Sequence, residues 1–222
     1  VLDYHHNLII VKIPLQDRHI YVAAYIWQEK GVPVYLLTTD ISQNEPRDRA
    51  ITSTLYPGDK EKRLQQEIVL GLGGLRFLEA LGIHPAVYHL NEGHSAFLAT
   101  EIIRHEIEER LISFDDARDL AKRRIVFTNH TLLPGGNDVF SNDLVAVNLA
   151  KYAEEMRVPV NELVKLGLVQ ESNLFSMTML SLRLAQTVNA VSQFHVKKAA
   201  EIWPDHPMIG ITNGIHLPTW DR

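Results

Sequence analysis

The chain has 222 residues, 45% apolar, 22% charged and 8% aromatic, with 22 Lys and Arg against 27 Asp and Glu for a formal net charge of −5, a balance that excludes intrinsic disorder and allows a core burying roughly 70% of the unfolded surface. It contains no cysteine, which excludes disulfide scaffolds, zinc ribbons, iron–sulfur clusters and thiol nucleophiles and fits a reducing compartment such as the cytoplasm. No basic run exceeds Lys122-Arg123-Arg124 and no apolar run approaches the roughly 18 to 20 residues of a membrane span, so neither nucleic acid nor membrane is an expected partner.

Val1-Leu2-Asp3-Tyr4-His5-His6 has neither an initiator Met nor a cationic region leading into an apolar stretch, so it reads as the start of a cut or processed piece, not as a signal peptide. Leu8 to Pro14 and Ile20 to Gln28, separated by Gln16-Asp17-Arg18, predict a β-hairpin. Val34 to Thr38 reads as a third strand, of the buried kind. The polar stretch Thr39 to Asp59 is a long loop, and loops of that length are often functional. From Lys60 the spacing becomes helical, with Leu64, Ile68, Leu72, Leu75 and Leu78 on one stripe, Asp59 as N-cap, Gly82 at the C-cap and Pro85 beyond.

Ala86 to Leu90 is a short strand whose loop, Asn91-Glu92-Gly93-His94, feeds a helix with Ala99, Ile103, Ile107 and Leu111 inward and Glu106 and Arg110 paired outside. Ile125 to Thr128 is a strand followed by the loop Asn129 to Asp138. Helical patterns cover Leu144 to Glu155, Val160 to Leu166, Met177 to Leu184 and Gln193 to Ile202. Val188 to Val191 and Ile209 to Thr212 are strands. Pro218-Thr219-Trp220-Asp221-Arg222 stops directly behind a structured-looking motif. After the hairpin, strand and helix alternate, which predicts an α/β, Rossmann-like parallel sheet with helices on both faces. Ligands of such sheets bind beyond the carboxyl ends of the strands, where the loops Asn91 to His94, Asn129 to Asp138 and Asn213 to His216 belong.

Gly71-Leu72-Gly73-Gly74 invites a dinucleotide-fingerprint reading, but Arg76 stands where the third glycine belongs and the run lies in mid-helix; close helix packing is the better account. His89, Glu92 and His94 have metal-ligand chemistry, yet their spacing matches none of the zinc-protease patterns. They read as a strand-end polar turn, compatible with shaping a pocket. Thr128-Asn129-His130-Thr131 is a similar case: a self-satisfied turn or a polar-ligand loop, and sugars need many such directional groups.

Taken in order, Tyr35-Leu36-Leu37-Thr38-Thr39-Asp40, Leu55-Tyr56-Pro57-Gly58-Asp59, Arg63-Leu64-Gln65-Gln66-Glu67, His89-Leu90-Asn91-Glu92-Gly93-His94, Thr128-Asn129-His130-Thr131, Val188-Asn189-Ala190-Val191-Ser192 and Thr212-Asn213-Gly214-Ile215-His216 resemble the amino-terminal half of an α-glucan (glycogen, starch or maltodextrin) phosphorylase. The resemblance implies that residues 1–222 are part of the amino-terminal lobe of a two-lobed GT-B glycosyltransferase. The complete enzyme cleaves a terminal α-1,4 bond with orthophosphate to give glucose 1-phosphate. It also implies pyridoxal phosphate on a Lys of the carboxyl-terminal lobe, with none held by this segment, and partners comprising the glucan, that second lobe and a possible second copy.

Residue by residue, His130 matches the family histidine whose ring contacts the sugar's 6-hydroxyl and whose carbonyl lies near the reacting carbon. Asn91, Glu92 and His94 match the segment beside the glucan cleft. Asn129, Thr131, Asn137 and Asp138 complete the implied sugar-binding set. Glu92-Gly93 and Pro134-Gly135-Gly136-Asn137-Asp138 are similar to the shorter bacterial branch. The alternatives are a glycogen or starch synthase of the same lobed class, or a non-catalytic carbohydrate-binding domain.

Overall fold

A computed structural model describes residues 1–2, 5–170 and 172–220, without the side chains of Pro134 and Pro218. Asp3, Tyr4, Asp221 and Arg222, which belong to the terminal runs read above, lie outside the described residues. The first apolar runs form an antiparallel meander, β1 (Val11–Leu15), β2 (Arg18–Glu29) and β3 (Val32–Thr38), in that spatial order. Ile13, Leu15, Ile20 and Val22 are fully buried on its inner face. β3 is not the buried strand expected: Val32, Val34 and Leu36 are 62%, 38% and 55% exposed. Lys30 and Gly31, both at positive φ, turn the chain straight back on β2 and leave β3 at the sheet edge.

The long loop is anchored despite its polarity. Asn44 is buried and treats β2 as a neighbouring strand would, donating to the Tyr21 and Thr39 carbonyls and accepting from the Tyr21 N–H. Within the loop the single turn α1 (Pro46–Arg49) buries Asp48 against the Arg18 guanidinium. Then α2 (Lys60–Ile68), capped by Asp59 on the Lys62 N–H at 2.8 Å, runs through a π-helical turn at Val69–Gly73 into α3 (Gly74–Ala80). Leu64, Ile68, Leu72 and Leu75 are buried as the stripe predicts. Past the π turn Phe77, not Leu78, faces the core, because the inserted residue rotates the helix phase.

The rest is a parallel sheet with helices packed against it. Its strands are β4 (Tyr88–Asn91), β5 (Ile125–Asn129), β8 (Thr187–Ala190) and β9 (Ile209–Gly210), adjacent in that order. The helices are α4 (Phe97–Arg110), α5 (Phe114–Lys122), α6 (Asn142–Met156), α7 (Val160–Gly167), α8 (Met177–Leu184) and α9 (Gln193–Ile202). A small antiparallel pair, β6 (Val139–Ser141) with β7 (Leu174–Ser176), follows the β5 loop.

Two expectations for α4 are corrected. Leu111 does not face inward; it is 89% exposed in the left-handed conformation that ends the helix. Glu106 is buried, not solvated, between Arg110 and Arg124. α5 escapes a periodicity reading because the residues it buries are Ala117 and Ala121, too small to mark a stripe. β6 and β7, at three residues each, are too short to show a period.

The mid-helix glycines divide into two kinds. A Cβ on Gly71 would stand 2.6 Å from the Phe97 Cβ and 2.7 Å from the Leu98 nitrogen, so the helical rod touches the start of α4 through bare backbone. A Cβ on Gly73 would meet only Val22 methyls at 3.5 Å or more. Packing thus requires glycine at 71 and leaves 73 replaceable. Gly71→Ala should destabilise by about 1–3 kcal/mol through overpacking, whereas Gly73→Ala should be neutral or stabilise by up to about 1 kcal/mol through helix propensity. Urea unfolding of the two variants checks this, and equal effects would show the distinction to be wrong.

Candidate functional site

Two parallel strands end side by side, and their ends are tied together. Asn91 of β4 pairs in register with Thr128 of β5. At the next residue the chain turns through Glu92 at φ 64°, ψ 179°, a region that a side chain enters at a cost of about 1–3 kcal/mol. The turn persists because both its polar ends are used. The Glu92 N–H donates to the Thr128 carbonyl at 3.0 Å, and Glu92 Oε1 accepts the His130 N–H at 2.6 Å. Glu92 Oε2 is buried without a hydrogen-bond partner among the described residues. Burial pushes the Glu92 carboxyl pKa up, while the His130 N–H and the nearby His130 and His94 rings pull it down. Gly93 follows at a close approach: a Cβ there would lie 3.0 Å from the Met177 Cβ and 3.1 Å from its carbonyl carbon, so a larger residue would require Met177 to give by a few tenths of an ångström.

A polar band lies beneath the strand ends. Thr128 Oγ1 donates to Asn189 Oδ1 at 2.7 Å and so accepts from His89 Nε2 at 2.6 Å, which fixes the His89 tautomer and links β4, β5 and β8. Asn129 is fully buried, its Oδ1 accepting from His195 Nε2 at 2.7 Å and its Nδ2 donating to the Thr131 carbonyl at 3.2 Å. His195 is presented by the first turn of α9, where Ser192 caps its N–H. The His130 loop is thus clasped from below by His195 through Asn129, and from the side by Glu92.

Beyond β5 the loop returns through Asn137, whose amide donates to the Leu133 carbonyl and accepts from Thr178 Oγ1 at 2.8 Å, to Asp138. Asp138 meets Arg63 and Glu67 of α2 and His94. Arg63 Nη2 lies 2.9 Å from Asp138 Oδ2, 3.2 Å from Glu67 Oε1 and 2.7 Å from His94 Nδ1. Glu67, His94 and Asp138 bring three ligating atoms within 4.8 Å of one another, but the Arg63 guanidinium already donates into that space, so the group is a salt-bridge cluster and not a cation cage.

The cluster has two hydrogen-bond arrangements related by one proton. With Nδ1 bare, His94 accepts from Arg63, which is what the 2.7 Å contact requires. From the same position Nδ1, when protonated, faces Asp138 and Glu67 at 3.4 and 3.3 Å, and these carboxylates hold its pKa up at about 9. Glu67, buried with Oε2 unpartnered, is pushed up to about 8 by burial, only partly offset by His94 and Arg63. Burial also acts to raise Asp138, but bonds from His94 and Arg63 outweigh it and hold the carboxyl well below the usual carboxylate range.

Arg63, His94 and Asp138, with Glu92, wall a cavity of about 410 Å³ that is also lined by Tyr56, Lys60 and Thr131, a size within the range of small-molecule sites. Of the residues expected from sequence, Glu92, His94, Thr131 and Asp138 line it, Asn91 is exposed at the strand end, His130 is half-buried on the Glu92 contact, and Asn129 and Asn137 have their amides committed to the loop. The 213–216 loop contributes no residue to the cavity wall. Arg63, Glu67 and His195 were not singled out as site residues. The available signal for the first two was a charged i,i+4 pair that sets Glu67 beside the apolar stripe of Leu64 and Ile68; nothing local marked His195.

A parallel sheet with polar loops gathered at its carboxyl end is a fold shared with a solved glycosyltransferase domain. The solved catalytic domain of starch synthase IV from Arabidopsis thaliana, bound to ADP and acarbose, superimposes with a TM-score of 0.60 at 18% identity, covering 96% of this chain and 41% of that one. The family model for carbohydrate phosphorylases matches residues 38–220, and the chain belongs to that family. It is 42% identical to the maltodextrin phosphorylase of Thermococcus litoralis over 96% of this chain and 26% of that protein. It is 36% identical to the glycogen phosphorylase of Mycobacterium tuberculosis over 98% of this chain and 28% of that protein. The chain thus spans about a quarter of each of these relatives.

The cluster's protons make stability depend on pH. Glu67 binds its proton more tightly folded than unfolded, so its contribution is fully present below about pH 4.5 and is lost as pH rises through about 8; His94 acts in the same direction up to about 9. The cluster's contribution to unfolding free energy should therefore fall between pH 5 and pH 9. In Glu67→Gln that fall should be shallower by roughly 2–3 kcal/mol, less than a full shift at about 1.4 kcal/mol per unit because the partners readjust. Parallel pH profiles for the two proteins would contradict the assignment.

Proposed function

We propose that residues 1–222 form part of the amino-terminal lobe of an α-glucan phosphorylase, and that in the complete protein this segment supplies part of the site where a terminal α-1,4 bond is cleaved by orthophosphate to glucose 1-phosphate. The observation that carries this reading is the join between the two strand ends, where the Glu92 carboxylate holds the His130 main chain at 2.6 Å beside a polar cavity. Family membership, and relatives named for phosphorolysis of maltodextrin and glycogen, support it. The likeness to a starch synthase concerns the fold alone, and sequence similarity favours phosphorolysis over the synthase reading. The cysteine-free composition fits the cytoplasm.

In this reading the His130 ring hydrogen-bonds a sugar hydroxyl away from the bond that breaks, and its carbonyl faces the positive charge that develops at the reacting carbon. Glu92 and His195 are positioning residues, one for the His130 amide and one for the loop through Asn129. Asn91, Thr131, His94 and Asp138 supply further sugar partners at the cavity wall, while Asn137 holds the returning loop to α8.

Pyridoxal phosphate does not fit the residues of this cavity. Lys60 is the one lysine in the cavity wall, and its Nζ is spent on the Val139 carbonyl at 3.3 Å and the Phe140 ring, not poised as a buried imine-forming amine. We assign the cofactor to a second lobe.

In the complete protein His130→Ala should lower kcat/KM for phosphorolysis by roughly 1.5–4 kcal/mol, with pyridoxal absorbance and melting temperature little changed. A lowered melting temperature with intact kinetics would mark His130 as a folding residue. The 222-residue chain by itself should release no glucose 1-phosphate from maltodextrin and phosphate, and robust turnover by it would overturn the two-lobe reading.

A further inference from the structure

A second cavity, of about 360 Å³, shares only Arg63 and His94 with the first and opens between β3, the loop that follows it and α2 with its π-helical turn. Its wall is apolar at Leu36, Leu37, Leu55 and Leu70 and polar at Gln66 and Glu67. Glu67 is the unusual group. Its side chain is 1% exposed, and Oε1 alone faces Arg63 Nη2 and His94 Nδ1, at 3.2 and 3.3 Å. Oε2 is buried with no hydrogen-bond partner among the described residues. A carboxyl oxygen taken from water and given no donor is costly. Gln66 gives its amide nitrogen to the Ile51 and Thr54 carbonyls, each at 2.8 Å, which leaves Oε1 as an acceptor. Arg63 does not complete an anion site here, because Nε and Nη2 are spent on Asp138 and the guanidinium lies over the Tyr56 ring. Two acceptors beside an apolar slot call for a ligand that brings its own donors and an aliphatic body.

We propose that this cavity is a binding site for a small aliphatic amine: the ammonium donates to Glu67 Oε2 and Gln66 Oε1, and the alkyl chain lies along Leu36, Leu55 and Leu70. The inference does not depend on the phosphorolysis reading, since neither Glu67 nor Gln66 is assigned to the sugar. Burial holds the Glu67 proton up to about 8. An ammonium at Oε2 favours the ionised carboxyl, so binding sends that proton to solvent and tightens as pH rises. The charged groups facing Glu67 are Arg63 from its own helix, His94 from the loop after β4 and Asp138 from the loop after β5. Arg63 and Asp138 keep their charges over this range, and loss of the His94 proton favours a cation in the same direction.

Calorimetric titration of the complete protein with n-hexylamine, n-butylamine and n-hexanol tests it. Hexylamine should bind with Kd below about 10 mM, at least tenfold more tightly than hexanol, and its affinity should rise at least threefold from pH 6 to pH 8. Butylamine should bind roughly tenfold more weakly than hexylamine, because each buried CH₂ is worth roughly three- to fourfold. Glu67→Gln should weaken hexylamine at least tenfold and remove the pH dependence. Because Glu67 also holds the salt-bridge cluster, the exposed Leu36 serves as a second reading, and Leu36→Ala should weaken hexylamine about threefold. Absence of hexylamine binding below about 10 mM, hexanol or butylamine binding as tightly as hexylamine, or affinity unchanged in a folded Glu67→Gln or in Leu36→Ala would each overturn the proposal.

Discussion

Glu92 holds the carboxyl edge of the sheet together from a backbone conformation that its own side chain disfavours. Its N–H goes back to Thr128 and its carboxylate goes forward to the His130 N–H, so the residue that follows β4 brackets the end of β5. A charge-assisted bond in a half-buried setting is about twice as strong as a neutral one, which is enough to offset strain of about 1–3 kcal/mol. A glutamine could accept the same N–H but would give up the charge that strengthens the bond. The strain is thus tied to a contact that, with Asn129 and His195, fixes where the His130 main chain lies.

The turn at Glu92 also sets the direction of His94, two residues on, and so decides whether the salt-bridge cluster can form at all. Arg63 and Glu67 reach it from α2, whose π-helical continuation packs on the antiparallel meander, whereas His94 and Asp138 reach it from loops of the parallel sheet. The cluster therefore joins the two halves of the fold at the cavity wall. Four ionisable groups with one exposed flank would be a poor source of stability by themselves, since desolvation consumes most of the Coulomb gain. Their value lies in register: Asp138 has one position in which it meets both Arg63 and His94, and that position closes the loop that starts at His130.

The sequence made the alternating β/α part of this arrangement legible because its strands and long helices carry strong periods and caps; Asp59, for example, does cap α2. It hid what depends on distant partners. The exposure of β3 follows from a Lys30-Gly31 turn whose geometry outweighs an apolar run, and the phase shift at Phe77 follows from a π turn that no periodicity assumes. At the site, Glu92, His94 and His130 were visible as strand-end polar residues, but His195 was not. Its contact with Asn129 spans 66 residues, and a histidine in the first turn of a helix looks alike whether it points at water or at a buried amide. Charged residues on an apolar stripe, such as Glu67 beside Leu64 and Ile68, are the one local clue to such buried polar contacts.

Hydrogen bonds at the sheet end mostly run inward. His89, Thr128 and Asn189 satisfy one another, as do His195, Asn129 and the Thr131 carbonyl, while among the described residues the buried Glu92 Oε2, the His130 ring and the exposed Asn91 amide keep capacity to spare. A site built this way needs little reorganisation when a polyhydroxylated ligand arrives, because the supporting atoms are locked by bonds that the ligand does not touch. The open cavity then has a physical consequence. A sugar held from one side by a few preset groups still faces water on the other, where electrostatic stabilisation of a developing charge is weak. In the reading proposed above, the chain's own residues would hold one face of a sugar, and dehydrating it would take a second wall.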